Sequence, residues 1–102
     1  MNNQENQKKS SIQYKLTGVL DQKTVPELWQ QRNKTYPLNG NNVIDLTSVS
    51  HCDSAGLAFL TCLQSEAIAS KQLLSFINIP QQLHQLIELN RLEDVLNCQQ
   101  PI

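Results

Sequence analysis

Two stretches of the sequence decide the fold, Val43-Ile44-Asp45-Leu46 and His51-Cys52-Asp53-Ser54-Ala55-Gly56-Leu57, with a short polar spacer between them. The first is short and apolar, as a buried central strand is, although Asp45 interrupts it. In the second, either Asp53 or Ser54 can cap a helix that begins with apolar side chains almost all round. A buried strand that leads through a loop into a buried helix is typical of an α/β domain.

The sequence before this unit predicts a further strand and helix. Side chains alternate between apolar and polar over 12–17, which indicates a half-buried strand, and 18–20 prolong it towards a turn. Thr24 and Glu27 form a capping-box sequence, so a helix should begin there. The apolar stripe of that helix comprises Val25, Leu28, Trp29 and Arg32.

The sequence after the unit continues the alternation. We expect a strand over 73–79, a helix starting at Pro80, and a final helical turn or short strand over 92–96. The prediction is an α/β fold with a mixed, mostly parallel sheet of about four strands and helices packed on it. A single domain should span 12–98, because 1–11 contain little that could pack and should form a flexible tail.

Charge and composition exclude several classes of partner. The net charge of -1 provides no basic field for a nucleic acid or an anionic membrane surface. The longest apolar run, Leu57 to Leu60, is far shorter than the roughly 20 residues needed to cross a bilayer. The polar residues 1–11 lack the apolar centre that a secretory signal needs. We therefore expect a cytoplasmic protein without direct membrane insertion.

Few residues have the spacing that a disulfide, a metal site, a phosphate-binding loop or a catalytic site requires. The three cysteines at positions 52, 62 and 98 match neither a disulfide framework nor a metal knuckle, and no glycine-rich phosphate loop occurs. The run His51-Cys52-Asp53-Ser54 suggests a hydrolase, but neighbours on an extended segment seldom reach triad geometry. We therefore predict no enzyme activity, no catalytic residues, no cofactor and no metal. Asp45 is better explained as bracing a loop than as catalytic.

Two features leave alternatives open. The hydroxyl of Ser54 lies at a helix start, where free backbone donors and the helix dipole would stabilise an added phosphate, or it is a plain helix cap. Phe59 and Cys62 lie on a flank of the second helix, so Phe59 either belongs to an apolar partner surface or is buried in the core.

The segment 43–57 resembles the signature of STAS domains, the family of anti-sigma factor antagonists. The resemblance implies that the loop after the strand, with Ser54 after Asp53, opens the helix that meets the partner. It also implies that Ser54 is the candidate site of phosphorylation by a partner kinase. The family's usual first strand should lie before Ile12.

A second resemblance is narrower. The stretch 16–22 followed by 28–32 is similar to MlaB-type STAS domains, the STAS subunits of phospholipid ABC transporters. This implies an accessory role: binding an MlaF-like cytoplasmic ATPase subunit in a complex with its permease, peripheral at the inner membrane, in support of outer-membrane lipid asymmetry. The alternative is an anti-sigma factor antagonist regulated through Ser54. The predicted partner-binding residues are Asp53, Ser54, Ala55, Gly56, Leu57 and Phe59.

Overall fold

The structure is a computed structural model and describes residues 11–99. The tail predicted over 1–11 and the family strand expected before Ile12 lie outside the described residues, apart from Ser11. That residue begins the first described strand, one position earlier than the sequence pattern indicates. The bounds of the tail and of the single domain over 12–98 stay predictions.

Strands and helices alternate along the described chain, and their bounds follow in chain order. They are β1 Ser11–Lys15, β2 Gly18–Leu20, α1 Val25–Gln30, α2 Arg32–Thr35, β3 Asn41–Asp45, β4 Val49–Cys52, α3 Ser54–Ala69, β5 Leu73–Ile77, α4 Gln81–Leu89 and β6 Cys98–Gln99.

The strands form two parallel sheets. The larger has the order β1-β3-β5-β6, and its register places Ser11 beside Asn41 and Asn41 beside Leu73. The smaller pairs β2 with β4. The predicted α/β fold with a mostly parallel sheet of about four strands is therefore confirmed. Of the two alternatives for 92–96, the helical turn forms, because the N–H groups of Val95 and Leu96 both donate to the Leu92 carbonyl. The short strand β6 follows it as a separate element.

The smaller sheet was not predicted. Residues 18–20 do not prolong β1, because Gly18 takes a positive φ of 91° and its N–H donates to the Ser48 carbonyl. Strand β4 begins in the spacer between the stretches 43–46 and 51–57. Its end residues Val49 and Cys52 are buried, whereas the two residues between them are exposed. The chain thus leaves the larger sheet after β1, and a few residues later β2 pairs with β4 in the smaller sheet.

The first helix begins at Val25 as expected, but the predicted capping box does not form. Thr24 has helical backbone angles and its side chain makes no cap hydrogen bond. Its hydroxyl instead donates to the Val19 carbonyl at 2.8 Å. The Asp21 carboxylate accepts from the backbone N–H groups of Lys23 and Thr24, at 2.9 and 3.1 Å. An Asx-type turn at Asp21 therefore organises the start of this helix.

Arg32 belongs to α2 rather than to the helix of the predicted stripe. Its guanidinium lies 3.6 Å from the centre of the Trp29 ring and donates two hydrogen bonds of 2.9 Å to the Glu66 carboxylate. The Trp29 ring in turn meets Phe59 edge-on. These contacts fasten α1 and α2 to the middle of α3.

Helix α3 is the centre of the core. It packs against β4, β5, α1 and α4, and the residues buried along it cover most of its circumference. The buried apolar residues of the described chain are Leu16, Leu20, Tyr36, Ile44, Leu46, Val49, Cys52, Leu57, Phe59, Leu60, Leu63, Ala67, Leu74, Phe76, Leu83, Ile87 and Leu96.

Gly56 allows the first turn of α3 to approach the smaller sheet closely. A Cβ at this position would lie 2.8 Å from the Cys52 sulfur, 2.9 Å from the Leu20 Cγ and closer still to the Leu20 carbonyl oxygen. Real Cβ atoms essentially never come this near to a backbone oxygen. The absence of a side chain at Gly56 therefore sets the distance between α3 and β2.

We expect Gly56→Ala to lower the free energy of unfolding by about 2 kcal/mol or more, because overpacking a rigid site usually costs ~1–3 kcal/mol. Chemical denaturation with urea measures the change. Ser65→Ala on the exposed face of the same helix is the control and should be neutral or slightly stabilising. Equal stability of the two variants would contradict the close-contact argument.

Candidate functional site

The loop between β4 and α3 is organised by the Asp53 carboxylate. One oxygen, Oδ1, accepts from the backbone N–H groups of Ala55 and Gly56 at 2.8 and 3.2 Å. The other, Oδ2, accepts from the N–H of Gln22 at 3.3 Å. Asp53 is therefore the N-cap of α3, and it also ties the helix to the turn after β2.

Ser54 is the first residue of α3 and is exposed. The plain-cap explanation for this residue is wrong, because Asp53 takes that role. The hydroxyl of Ser54 makes no hydrogen bond to any residue between 11 and 99. The expectation of free backbone donors is also wrong for Ala55 and Gly56, whose N–H groups already bond to Asp53. The fold leaves the Ser54 hydroxyl available to a partner.

The other predicted partner-binding residues differ in accessibility. Ala55 is partly buried, whereas Gly56 and Leu57 are buried. Phe59 is only 2% exposed and contacts Trp29. Of the two alternatives for this residue, a partner surface or the core, the structure shows burial in the core. Phe59 therefore cannot present its ring to a partner while the domain is folded. Sequence periodicity could not decide this, because α3 is apolar on nearly every face at its start.

A shallow groove of about 330 Å³ lies beside Ser54. It runs between the exposed face of α3 and the segment that follows α4. Its walls are mostly apolar and carry no charged side chain. The residues that line this groove, here called the Ser54 groove, are Ser54, Leu57, Ala58, Thr61, Cys62, Asn90 and Leu92.

Some groove residues carry a signal in the sequence and others do not. Ala58 and Cys62 follow Ser54 at intervals of four residues, which places all three on one face of a helix. Asn90 and Leu92 reach the groove only because α4 packs against α3. No local sequence pattern predicts that these two residues line the groove.

The described residues do not assemble a catalytic triad. No hydrogen bond joins His51, Asp53 and Ser54 to one another, and both carboxylate oxygens of Asp53 accept backbone donors. Burial, reinforced by the negative charge of Asp53, raises the pKa of the Cys52 thiol to about 11, so the reactive thiolate is scarce at neutral pH. Within 11–99, no three His, Cys, Asp or Glu side chains cluster as metal ligands would.

Asp45 braces the loop after β3. Its Oδ1 accepts from the Thr47 hydroxyl at 2.6 Å, the Thr47 N–H at 2.9 Å and the Asn78 side-chain amide at 3.0 Å. These donors, the Thr47 hydroxyl first, lower the pKa of Asp45. The carboxylate therefore joins the ends of β3 and β5, as the bracing interpretation requires.

We expect Thr47→Val to raise the pKa of Asp45 towards its ordinary value, because the largest stabilising donor is lost. Since the folded pKa is lowered, ionised Asp45 stabilises the fold at neutral pH, and this contribution disappears as the pH falls through the folded pKa. A carboxyl-carbon NMR titration measures the shift. Thr35→Val, at an exposed position of α2, is the control; an Asp45 titration unchanged in Thr47→Val would contradict the assignment.

We expect Asp53→Ala to lower the free energy of unfolding by about 1–2 kcal/mol, the usual cost of losing an N-cap. Asp53→Asn should retain most of the stability, because asparagine caps helices equally well. Asp94→Ala, at an exposed position, is the control in the same urea titrations. If Asp53→Ala proves as stable as Asp94→Ala, the cap does not stabilise the helix.

A match to a family model identifies the family of the chain. No helix within the described residues has the length and apolar character needed to cross a membrane. A search of curated proteins finds no match. The family model described as "Mlab, STAS domain" matches residues 3–97, which is most of the chain and includes both diagnostic stretches. The chain therefore belongs to the MlaB-type STAS domain family.

Proposed function

We propose that this chain is a non-catalytic accessory subunit that binds and supports the cytoplasmic ATPase of a phospholipid-transporting ABC complex. The observation that carries the proposal is the Ser54 groove, an apolar depression beside an exposed hydroxyl that the fold does not use. Membership of the MlaB-type family supports an ABC transporter complex as the setting.

The chemistry of the groove favours docking over catalysis. Its accessible apolar lining includes Ala58, Cys62 and Leu92, which suit an apolar side chain of a partner. Ser54 can add one directional hydrogen bond at the edge. A partner contact with an apolar centre and a few polar groups around it is the usual anatomy of a protein interface.

The first turn of α3 is also held rigidly. The Asp53 cap and the close contact at Gly56 fix the helix against the smaller sheet. Rigid presentation lowers the conformational entropy lost on binding, so a small groove can contribute usefully to affinity. In this proposal the subunit reaches the inner membrane only through its partner, on the cytoplasmic side, and acts there in maintaining outer-membrane lipid asymmetry.

The alternative function is an anti-sigma factor antagonist switched by phosphorylation of Ser54. The exposed hydroxyl favours access by a kinase. Since the Ala55 and Gly56 donors are occupied, a phosphate there would lie next to the Asp53 carboxylate and would act on binding chiefly through repulsion. Intact mass of the native protein distinguishes the two functions, because a phosphate on Ser54 favours the switch.

We expect Ala58→Glu and Ser54→Glu each to weaken binding to the purified ATPase by at least about tenfold, or ~1.4 kcal/mol, because a charge would enter an apolar contact. Calorimetric titration measures the affinity, and circular dichroism confirms that each variant is folded. Asn33→Glu, exposed on α2, is the control. Unchanged affinity in both groove variants would overturn the proposed surface.

A further inference from the structure

Exposed apolar side chains gather at the opposite end of α3 from Ser54. Half of the exposed large apolar residues of the described chain line one depression there: Ile68, Leu73 and Val95, which are 65%, 65% and 42% exposed. We call this depression, which Glu93 and Asp94 also line, the distal patch. Scattered exposed apolar residues are normal, but here three of them surround one depression whose other lining residues are mostly polar, as at sites of protein contact.

The distal patch is separate from the Ser54 groove. Ile68 follows Ser54 by 14 positions on the same helix, which corresponds to about 21 Å along its axis at ~1.5 Å per residue. The two surfaces share no lining residue. They also differ in charge, because the distal patch includes the carboxylates of Glu93 and Asp94 and the groove has no charged wall.

The backbone around the distal patch is already satisfied, so an added β-strand is not the binding mode. The Leu73 N–H donates to the Gly40 carbonyl, and its own carbonyl accepts from the Asn42 side chain at 2.9 Å. The next carbonyl, of Leu74, accepts from the side chains of Gln64 and Asn97, both at 3.1 Å. A partner must therefore be recognised by side chains.

The charges of the patch decide the kind of partner. Glu93 and Asp94 are both exposed, and neither forms a salt bridge within 11–99, where the ion pair present joins Arg32 to Glu66. A second copy docked through the same patch would add two more carboxylates to the interface, and no Lys or Arg within 11–99 lines the depression to offset them. Anionic phospholipid headgroups would be repelled as well. Positive side chains complement this rim.

We propose that the distal patch docks a segment of a partner protein that carries aliphatic or aromatic side chains next to Lys or Arg. The apolar side chains fill the depression between Ile68, Leu73 and Val95, and the cations pair with Glu93 and Asp94. This inference does not depend on what binds the Ser54 groove.

Site-specific photo-crosslinking in the native cells tests the inference. A benzoylphenylalanine at Leu73, or in a second variant at Ile68, probes the distal patch, and one at Ala58 probes the groove. A probe at Asn33 is the matched control on another face. Mass spectrometry then identifies the cross-linked peptide of the partner, so the chemistry of the contacted segment is read directly.

We expect the Leu73 or Ile68 probe to cross-link a segment with apolar residues and Lys or Arg side by side, and the Asn33 probe to leave that segment unlabelled. With the purified partner, Glu93→Lys combined with Asp94→Lys should weaken binding by about tenfold at low salt. Cross-links only to a second copy, a segment without basic residues, unchanged affinity in the double variant, or no cross-link from either distal probe would overturn the inference. Failure of the Ala58 probe to reach an ATPase would count against the proposed function alone.

Discussion

The architecture depends on one close approach, that of the first turn of α3 to β2 at Gly56. A side chain there would collide with the Leu20 carbonyl, so the missing Cβ lets the helix settle directly on the smaller sheet. The Asp53 carboxylate then secures the same junction by accepting from the first turn of the helix and from Gln22. Together the two residues fix the rotation of α3, which turns Leu57 inward and Ser54 outward.

The same rotation favours the docking role proposed for the candidate site. Capping and packing occupy Asp53, and burial leaves the Cys52 thiol protonated, so the chemically versatile residues of the loop are committed to structure. Ser54 is exposed, and its hydroxyl makes no hydrogen bond within 11–99. The exposed face of α3 that continues from it is small and apolar, which suits contact with a protein better than turnover of a substrate.

Sequence patterns predicted the large elements and missed the small ones for identifiable reasons. The apolar run of β3, the dense apolar start of α3 and the strand β5 carry strong local signals, and together they predicted the parallel sheet. Strands β2 and β4 are only three and four residues long, and Ser50 and His51 make β4 look like a loop. At Thr24 the sequence fits a capping box, but the Asp21 carboxylate accepts from the Thr24 N–H, from which Glu27 would otherwise accept, and the Thr24 hydroxyl donates to the Val19 carbonyl. At Phe59 the pattern was ambiguous, and tertiary contact with Trp29 resolved it.

The site shows the same division between local and long-range information. Asp53 and Ser54 could be found from the sequence because helix starts have a local chemistry. Asn90 and Leu92 could not, since they reach the groove only through the packing of α4 on α3. Long-range packing also creates the distal patch, where Val95 meets Ile68 and Leu73 across the depression. One rigid helix thus carries two chemically different surfaces, whose far ends at Ser54 and Ile68 are about 21 Å apart along its axis. If two segments of one partner occupied both surfaces, the helix would hold them at a fixed separation, and binding of each would raise the effective concentration of the other without any conformational change.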